Sequence, residues 1–319
     1  FAVFMLFIVL AYEAVNILFY RQNEQKDTRI SVYGFIIVIS CFLQAMFGVV
    51  QFFGFFQIST TLWVTGSFDN PAGFAACLCA GFPFVGFLLS DSNKYIRYVG
   101  GLIGFVIVIA VILSQSRAGI MSIAFICFIL LNMKFFHKRW VKYLSLLCFA
   151  LLLSGCYWMK KDSADGRLLI WRCSVSMVKD APWLGHGIGS FEARYMDYQA
   201  DYFRQYGLNR YSMLADNVKH PFNEYLGVLL NFGFVGLLMI LALITLLIYC
   251  YKKHPCAEKR IAFYSLISIG VFSFFSYTFT YPFTWIVTFL CIIILTKEYI
   301  AKVFTCLLYT SPSPRDATL

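Results

Sequence analysis

Residues 114–120 read SQSRAGI, and Arg117 stands between the apolar runs YVGGLIGFVIVIAVIL and MSIAFICFILLNM with no acidic residue near it in sequence. A charged side chain costs about 2.5–3.5 kcal/mol at the centre of a bilayer and less toward its surface. A counter-charge from outside the chain is therefore expected, and a lipid-linked phosphate entering from the bilayer would supply it. Arg167 and Arg172 lie in GRLLIWRCSVSMVKDAPWLGHGIGSF (166–191), and a guanidinium fork meets two phosphate oxygens at once. Arg167, four residues before Trp171, is placed to stack on that indole. In KHPFNEYL (219–226), His220, Asn223 and Glu224 fall at i, i+3 and i+4, on one face of a first helical turn. An imidazole moves protons near neutral pH, and Glu224 competes with His220 for that role.

Helix starts add to the anion-binding pattern. Ser116 can cap a helix beginning near Ala118, Asn70-Pro71 pairs a cap with a first-turn proline, and His220-Pro221 repeats the arrangement. Each such N-terminus offers free N–H groups and about half a positive charge to a phosphate.

The elements that must position these groups are membrane helices. The chain has 319 residues, 60% hydrophobic, 19% aromatic and 13% charged, with a mean hydropathy of +0.73. Soluble domains carry about twice that share of charge. Nine apolar segments can be drawn, about 1–20, 31–57, 71–89, 96–113, 118–136, 141–159, 222–250, 261–281 and 283–300, several reaching the roughly 20 residues that cross a bilayer. An all-α, polytopic transmembrane bundle follows.

Connections alternate in charge. Arg21, Lys26 and Arg29 follow the first segment, Lys94 and Arg97 the third, and Lys134, Lys138, Arg139 and Lys142 the fifth. Lys252, Lys253, Lys259 and Arg260 follow the seventh, and Lys297 and Lys302 end the ninth. The intervening turns GSFDNP, SQSRAGI and the one around Tyr281-Pro282 carry Arg117 as their one basic residue. By the positive-inside rule the basic connections face the cytoplasm, and these turns, with residues 160–221, face outward. The net charge of +10 thus serves orientation and is no nucleic-acid footprint.

The chain divides into N-terminal spans (1–159), an outer insertion with amphipathic helices (160–221) and C-terminal spans (222–305). In the insertion, Leu168, Trp171, Val175 and Val178 share one helical face and Arg172, Ser176 and Lys179 another, a pattern suited to the membrane surface. Residues 191–207 form a second amphipathic stretch. Residues 306–319 read as a translated sequencing adapter, and the start inside an apolar run without Met suggests that further spans precede it. The eleven cysteines show neither ligand spacing nor a disulfide framework. Asp162, Asp165 and Asp180 are too scattered for a metal site, and no cofactor motif is present.

Taken in order, GSFDNPAGFAA, SQSRAGI, GRLLIW…APWLGHGIGSF and HPFNEYLGVLLNFGFVGLL resemble the O-antigen ligase/polymerase superfamily. The resemblance implies a multi-spanning glycosyltransferase of the GT-C kind in the bacterial inner membrane. Such an enzyme moves a glycan from undecaprenyl pyrophosphate on the periplasmic face, without metal or nucleotide sugar. It maps pyrophosphate binding onto Arg117 and Arg167 and acceptor activation onto His220; the residues themselves add Arg172, Ser116 and Asn223 as further phosphate contacts and Glu224 as the alternative base. Many members carry the histidine directly before the asparagine, where this chain has Phe222. The leading expectation is an O-antigen ligase acting on lipid A-core. An O-antigen polymerase and a protein O-oligosaccharyltransferase are the alternatives of the same class. A transporter or flippase would need ionisable groups deep in the spans, where Glu13, Asn16 and Gln44 are the few polar ones.

Overall fold

Backbone crossing hydrocarbon must satisfy its own hydrogen bonds, so long apolar runs become helices. The computed structural model describes residues 26–55, 64–134, 139–159 and 161–310, and among them no strand occurs. The segment 1–20 with Glu13 and Asn16, the basic residues Arg21 and Lys138, and the tail 311–319 lie outside the described residues. The helices are α1 (Lys26–Phe52), α2 (Pro71–Gly81), α3 (Val85–Leu89), α4 (Lys94–Leu113), α5 (Arg117–Lys134), α6 (Arg139–Met159), α7 (Lys161–Asp180), α8 (Ser190–Tyr206), α9 (Glu224–Lys253), α10 (Ala257–Phe275) and α11 (Pro282–Thr310). A 3₁₀ turn, Phe82–Phe84, joins α2 to α3, and α11 runs on into the tail as far as Thr310.

Five stretches are long and apolar enough to cross a membrane: 33–52, 71–89, 94–113, 224–253 and 282–299. Arg117–Met133 is apolar but shorter. These stretches overlap five of the nine segments drawn from the sequence, and the first segment, 1–20, lies outside the described residues. Leu43, Phe105, Leu146, Leu238 and Met239 are exposed, a surface that only lipid covers without penalty. This is an integral membrane protein.

Where lipid tails offer no hydrophobic drive between helices, close packing and hydroxyl bonds hold them together. Ser265 Oγ donates to Ala80 O, and Ser268 Oγ to Cys79 O, each at 2.7 Å, and Ser122 Oγ donates to Ser268 O at 2.7 Å. These three bonds tie α2, α5 and α10 together. A Cβ at Gly119 would meet Ala75 Cβ and Val111 Cγ1 at 2.9 Å, so the glycine after Arg117 lets α5 approach α2 and α4. Cys41, Cys77, Cys79 and Cys291 are buried free thiols that act as small packing residues. At the opposite, basic end, fully buried Lys259 pairs with Glu298 at 3.1 Å.

A second core sits on the other end of the bundle. Leu169, Ile170, Cys173 and Met177 of α7 pack with Phe191 and Tyr195 of α8 and with Leu226 and Leu230 of α9. The seam Leu169–Cys173–Met177 is thus the buried one, while Leu168 and Val175, on the apolar face read from the sequence, are exposed. That seam of α7 is held between α8 and α9. The unit also reaches past residue 221, because the first turns of α9 complete its core.

That junction rests on a break in α9 at Gly233, whose φ of 62° and ψ of −158° are non-helical. The break frees backbone groups, and the glycine-rich loop after α7 takes them up. His186 N–H donates to Leu230 O (2.7 Å) and Gly187 N–H to Asn231 O (3.1 Å). In return Phe234 N–H and Val235 N–H donate to Pro182 O (2.8 Å) and Trp183 O (3.2 Å). A Cβ at Gly233 would collide with the Pro182 and Trp183 carbonyls. Residues 234–253 remain as an unbroken helix on the order of 30 Å long, enough to span, while 224–232 rise above it into the second core.

Candidate active site

Arg117 begins α5, where Ser116 Oγ accepts the Gly119 N–H at 3.4 Å. The preceding residue, Gln115, has a φ of 53°, which turns the chain sharply from α4 into α5 and sets Arg117 beside α7. Its Nη2 donates to Ser163 Oγ at 2.8 Å. One turn along α7, Arg167 Nη1 donates to the Phe275 carbonyl at 2.6 Å, at the open end of α10. Both guanidinium groups line a cavity of about 200 Å³, together with Met121, Tyr157, Leu168, Trp171 and Phe275. Burial, and next the charge of nearby Arg117, pull the Arg167 pKa down to about 10. It remains charged at neutral pH, and among the described residues no carboxylate forms an ion pair with it.

Met121 and Phe275 also line a second cavity, of about 650 Å³, whose walls are apolar: Phe125, Phe149, Leu247, Phe263, Leu266 and Phe274 among them. It lies between α5, α6, α9 and α10. A charged chamber thus borders a greasy one across two shared side chains.

Arg167 does not stack on Trp171 as its spacing suggested. The indole N–H donates to Pro221 O at 3.0 Å and the ring packs edge-on to Phe274. Arg167 lies instead over Phe222, 5.0 Å from the ring centre. Phe222 packs on Tyr277 at 5.3 Å, and Tyr277 stacks on His220 at 4.8 Å and 24°. An aromatic ledge therefore links the cavity's arginine to the histidine, which itself does not line the cavity. Burial lowers the His220 pKa from its ordinary value, with Glu192 opposing the shift and Lys219 adding to it. The ring is neutral at pH 7 and able to accept a proton.

The other predicted residues sit close by in different capacities. Asn223, rather than His220, caps α9, its Oδ1 accepting the Leu226 N–H at 3.1 Å. Phe222, with a φ of 52°, turns the chain just before it, so Pro221 precedes the helix and His220 stands off the face of Glu224. The Glu224 carboxylate accepts the Phe279 N–H at 2.8 Å and fixes the 3₁₀ turn Thr278–Thr280. Asn70 caps α2 as expected: its Oδ1 accepts Gly73 N–H at 2.8 Å and Tyr281 O–H at 2.9 Å. Arg172 lies apart, exposed, against Tyr202 and Tyr211.

Sequence reasoning passed over Tyr277 and Tyr157. The signal for Tyr277 was the stretch SYTFTYPF (276–283), aromatic and hydroxyl-rich between two apolar runs. Nothing in the sequence pointed to Tyr157, which ends a plain apolar run. Among the described residues no three His, Cys, Asp or Glu side chains gather to hold a metal ion.

Residues 102–241 match the family model described as O-antigen ligase. The matched stretch runs from α4 into α9 and takes in Arg117, Arg167, Arg172, His220 and the break at Gly233, but ends before Phe275 and Tyr277. No curated protein matches the chain. The family match carries an O-antigen ligase/polymerase type of function and a glycosyltransferase-like activity. Over residues 102–241, the stretch that holds Arg117, Arg167 and His220, the chain is similar to the O-antigen ligase family.

Proposed function

We propose that this protein transfers a glycan from undecaprenyl pyrophosphate to an acceptor hydroxyl at the periplasmic face of the inner membrane, and that it is an O-antigen ligase acting on lipid A-core. One observation carries the reading. Arg117 and Arg167 share a small cavity that abuts a large apolar one, a lodging suited to a diphosphate head on a hydrocarbon tail.

The chemistry follows from those groups. The acceptor oxygen attacks the anomeric carbon, the bond from that carbon to the phosphate oxygen breaks, and the carrier diphosphate leaves with the electron pair. Positive groups held in a cavity where that charge grows stabilise the transition state and need no reorganisation. The reading gives that task to Arg117 and Arg167, with the α5 N-terminus capped by Ser116 adding its dipole, and not to a metal. His220, neutral at pH 7, takes the hydroxyl proton; Tyr277 holds its ring. Glu224 and Asn223 act through the turn 278–280 and the α9 start. The basic end of the bundle faces the cytoplasm, and residues 160–221, with the first turns of α9, form the periplasmic unit.

The test is deletion of the gene with complementation by wild type or Arg117→Ala, followed by electrophoresis of the lipopolysaccharide. Loss of all long chains, with carrier-linked polymer accumulating and no rescue by Arg117→Ala, supports the ligase. Core bearing a single repeat unit reassigns the protein as a polymerase, and an unchanged profile overturns lipopolysaccharide as the product.

A further inference from the structure

Arg172 lies five residues beyond Arg167 on α7, about 140° around the helix at 3.6 residues per turn, and it faces a different company. Its guanidinium sits 5.2 Å from the Tyr211 ring centre, and Nη1 donates to Tyr202 Oη at 3.4 Å. Arg210 reaches the same ring at 4.7 Å and donates to Tyr211 Oη at 2.6 Å. Tyr211 is buried beneath them. Tyr202 continues the surface into Tyr206, 4.9 Å away at 38°, and Tyr206 is 62% exposed. Among the described residues neither arginine forms an ion pair. Asp165, the nearby carboxylate, is buried and accepts the Tyr157 hydroxyl at 3.3 Å.

Two cations over one ring repel each other, and each keeps most of its five N–H donors turned to water. Stacking on tyrosine limits their motion, which reduces the entropy lost when an anion binds. The neighbouring tyrosines present flat amphipathic faces of the sort that pack against sugar rings. This surface also adjoins the proposed donor chamber, because Tyr157 lines that cavity and lies within electrostatic reach of Arg210 and Tyr211.

We propose that Arg172, Arg210, Tyr202, Tyr206 and Tyr211 form a docking site for an anionic saccharide, phosphorylated or uronic-acid-bearing, and that the acceptor glycan binds there. The inference rests on the transferase reading and gives it an acceptor class. Arg172 and Arg210, seated on the buried Tyr211 ring, grip the charged group, Tyr202 and Tyr206 carry the adjoining sugar, and the acceptor hydroxyl extends past Tyr157 toward the cavity.

The test titrates the full-length protein in nanodiscs with three soluble probes: a phosphorylated oligosaccharide, the same oligosaccharide after phosphatase treatment, and an oligouronate. Wild type is expected to bind at least one charged probe tenfold or more tighter than the neutral one, and the arm showing the preference names the anion. Arg172→Ala/Arg210→Ala should erase the preference, the paired Lys variant should keep part of it, and Arg117→Ala/Arg167→Ala should leave it intact. Equal binding of all three probes by wild type, a preference that survives the Arg172→Ala/Arg210→Ala change, or its loss in the Arg117→Ala/Arg167→Ala variant would each overturn the inference. Undecaprenyl pyrophosphate affinity on the same samples separates the two readings. Wild type that fails to bind the carrier refutes the transferase site, whereas normal carrier binding without a charge preference refutes the acceptor site alone.

Discussion

Two arginines on one helix illustrate how position decides role. Arg167 is drawn into a chamber, its pKa lowered to about 10, one donor spent on the Phe275 carbonyl and its plane laid over Phe222. Arg172 stands in water on tyrosine hydroxyls and rings. A charge that is desolvated beside a like charge binds an anion strongly, because the partner relieves both penalties. An exposed guanidinium is screened and contributes far less per contact. In the proposed account the same residue type therefore holds a diphosphate in a desolvated chamber on one face of α7 and an anionic sugar at the solvated surface on the other.

The comparison breaks most sharply on truncation. Losing one charge-stabilising donor costs about 10²–10³ in rate, so Arg167→Ala is expected to lower transfer from the carrier by at least 10²-fold in membranes with matched expression. Arg172→Ala is expected to leave carrier affinity within about twofold, the scale of an exposed contact. Equal losses in the two variants would erase the distinction between the faces.

His220→Ala is expected to cost about 10²-fold, the lower range for a general base, with a change in pH profile. Only the neutral ring accepts a proton, and burial lowers its pKa below the ordinary value of about 6.5. Wild-type transfer should thus hold steady from neutral pH down to about 6.5 and fall below it. The acid limb should vanish in the variant. An alkaline limb should appear near pH 10, where Arg167 loses its charge. Stability carries the same sign for His220: below about pH 6.5 the unfolded chain binds the proton more readily, so folding weakens as pH drops.

Smaller effects test the scaffold the two faces share. Gly233→Ala forces a side chain into a left-handed conformation against the Pro182 and Trp183 carbonyls, at about 2–3 kcal/mol. Thermal melting in detergent should show the loss, and a variant as stable as wild type would mean that the loop does not dock on the break. Asn70→Ala removes a cap and the Tyr281 contact and should cost about 1 kcal/mol by the same measurement.

Much of this was legible in the sequence. Asn70-Pro71 forms the expected cap because a cap and a first-turn proline are local rules. The turn at Asn70 meets the turn at Tyr281 through a 2.9 Å hydrogen bond, two stretches the sequence marks by their few basic residues. Arg117 stood out because an arginine between two apolar runs demands an explanation. What escaped depended on contacts distant in sequence. Whether Trp171 or Phe222 lies under Arg167 is decided by Pro221, which takes the indole N–H. The seam by which α7 packs, Leu169–Cys173–Met177, is set by α8 and α9, whose contacts lie farther along the chain. Gly233 sits unremarked in NFGFVG, and only the loop 182–187 shows why the helix opens there.

Binding of undecaprenyl pyrophosphate to purified protein in nanodiscs tests the central proposal most directly, comparing wild type with Arg117→Ala/Arg167→Ala. The expected result is a loss of at least 10²-fold in affinity for the diphosphate carrier, with undecaprenol, which lacks the phosphates, binding equally weakly to both proteins. An unchanged affinity for the diphosphate in the double variant would contradict the account.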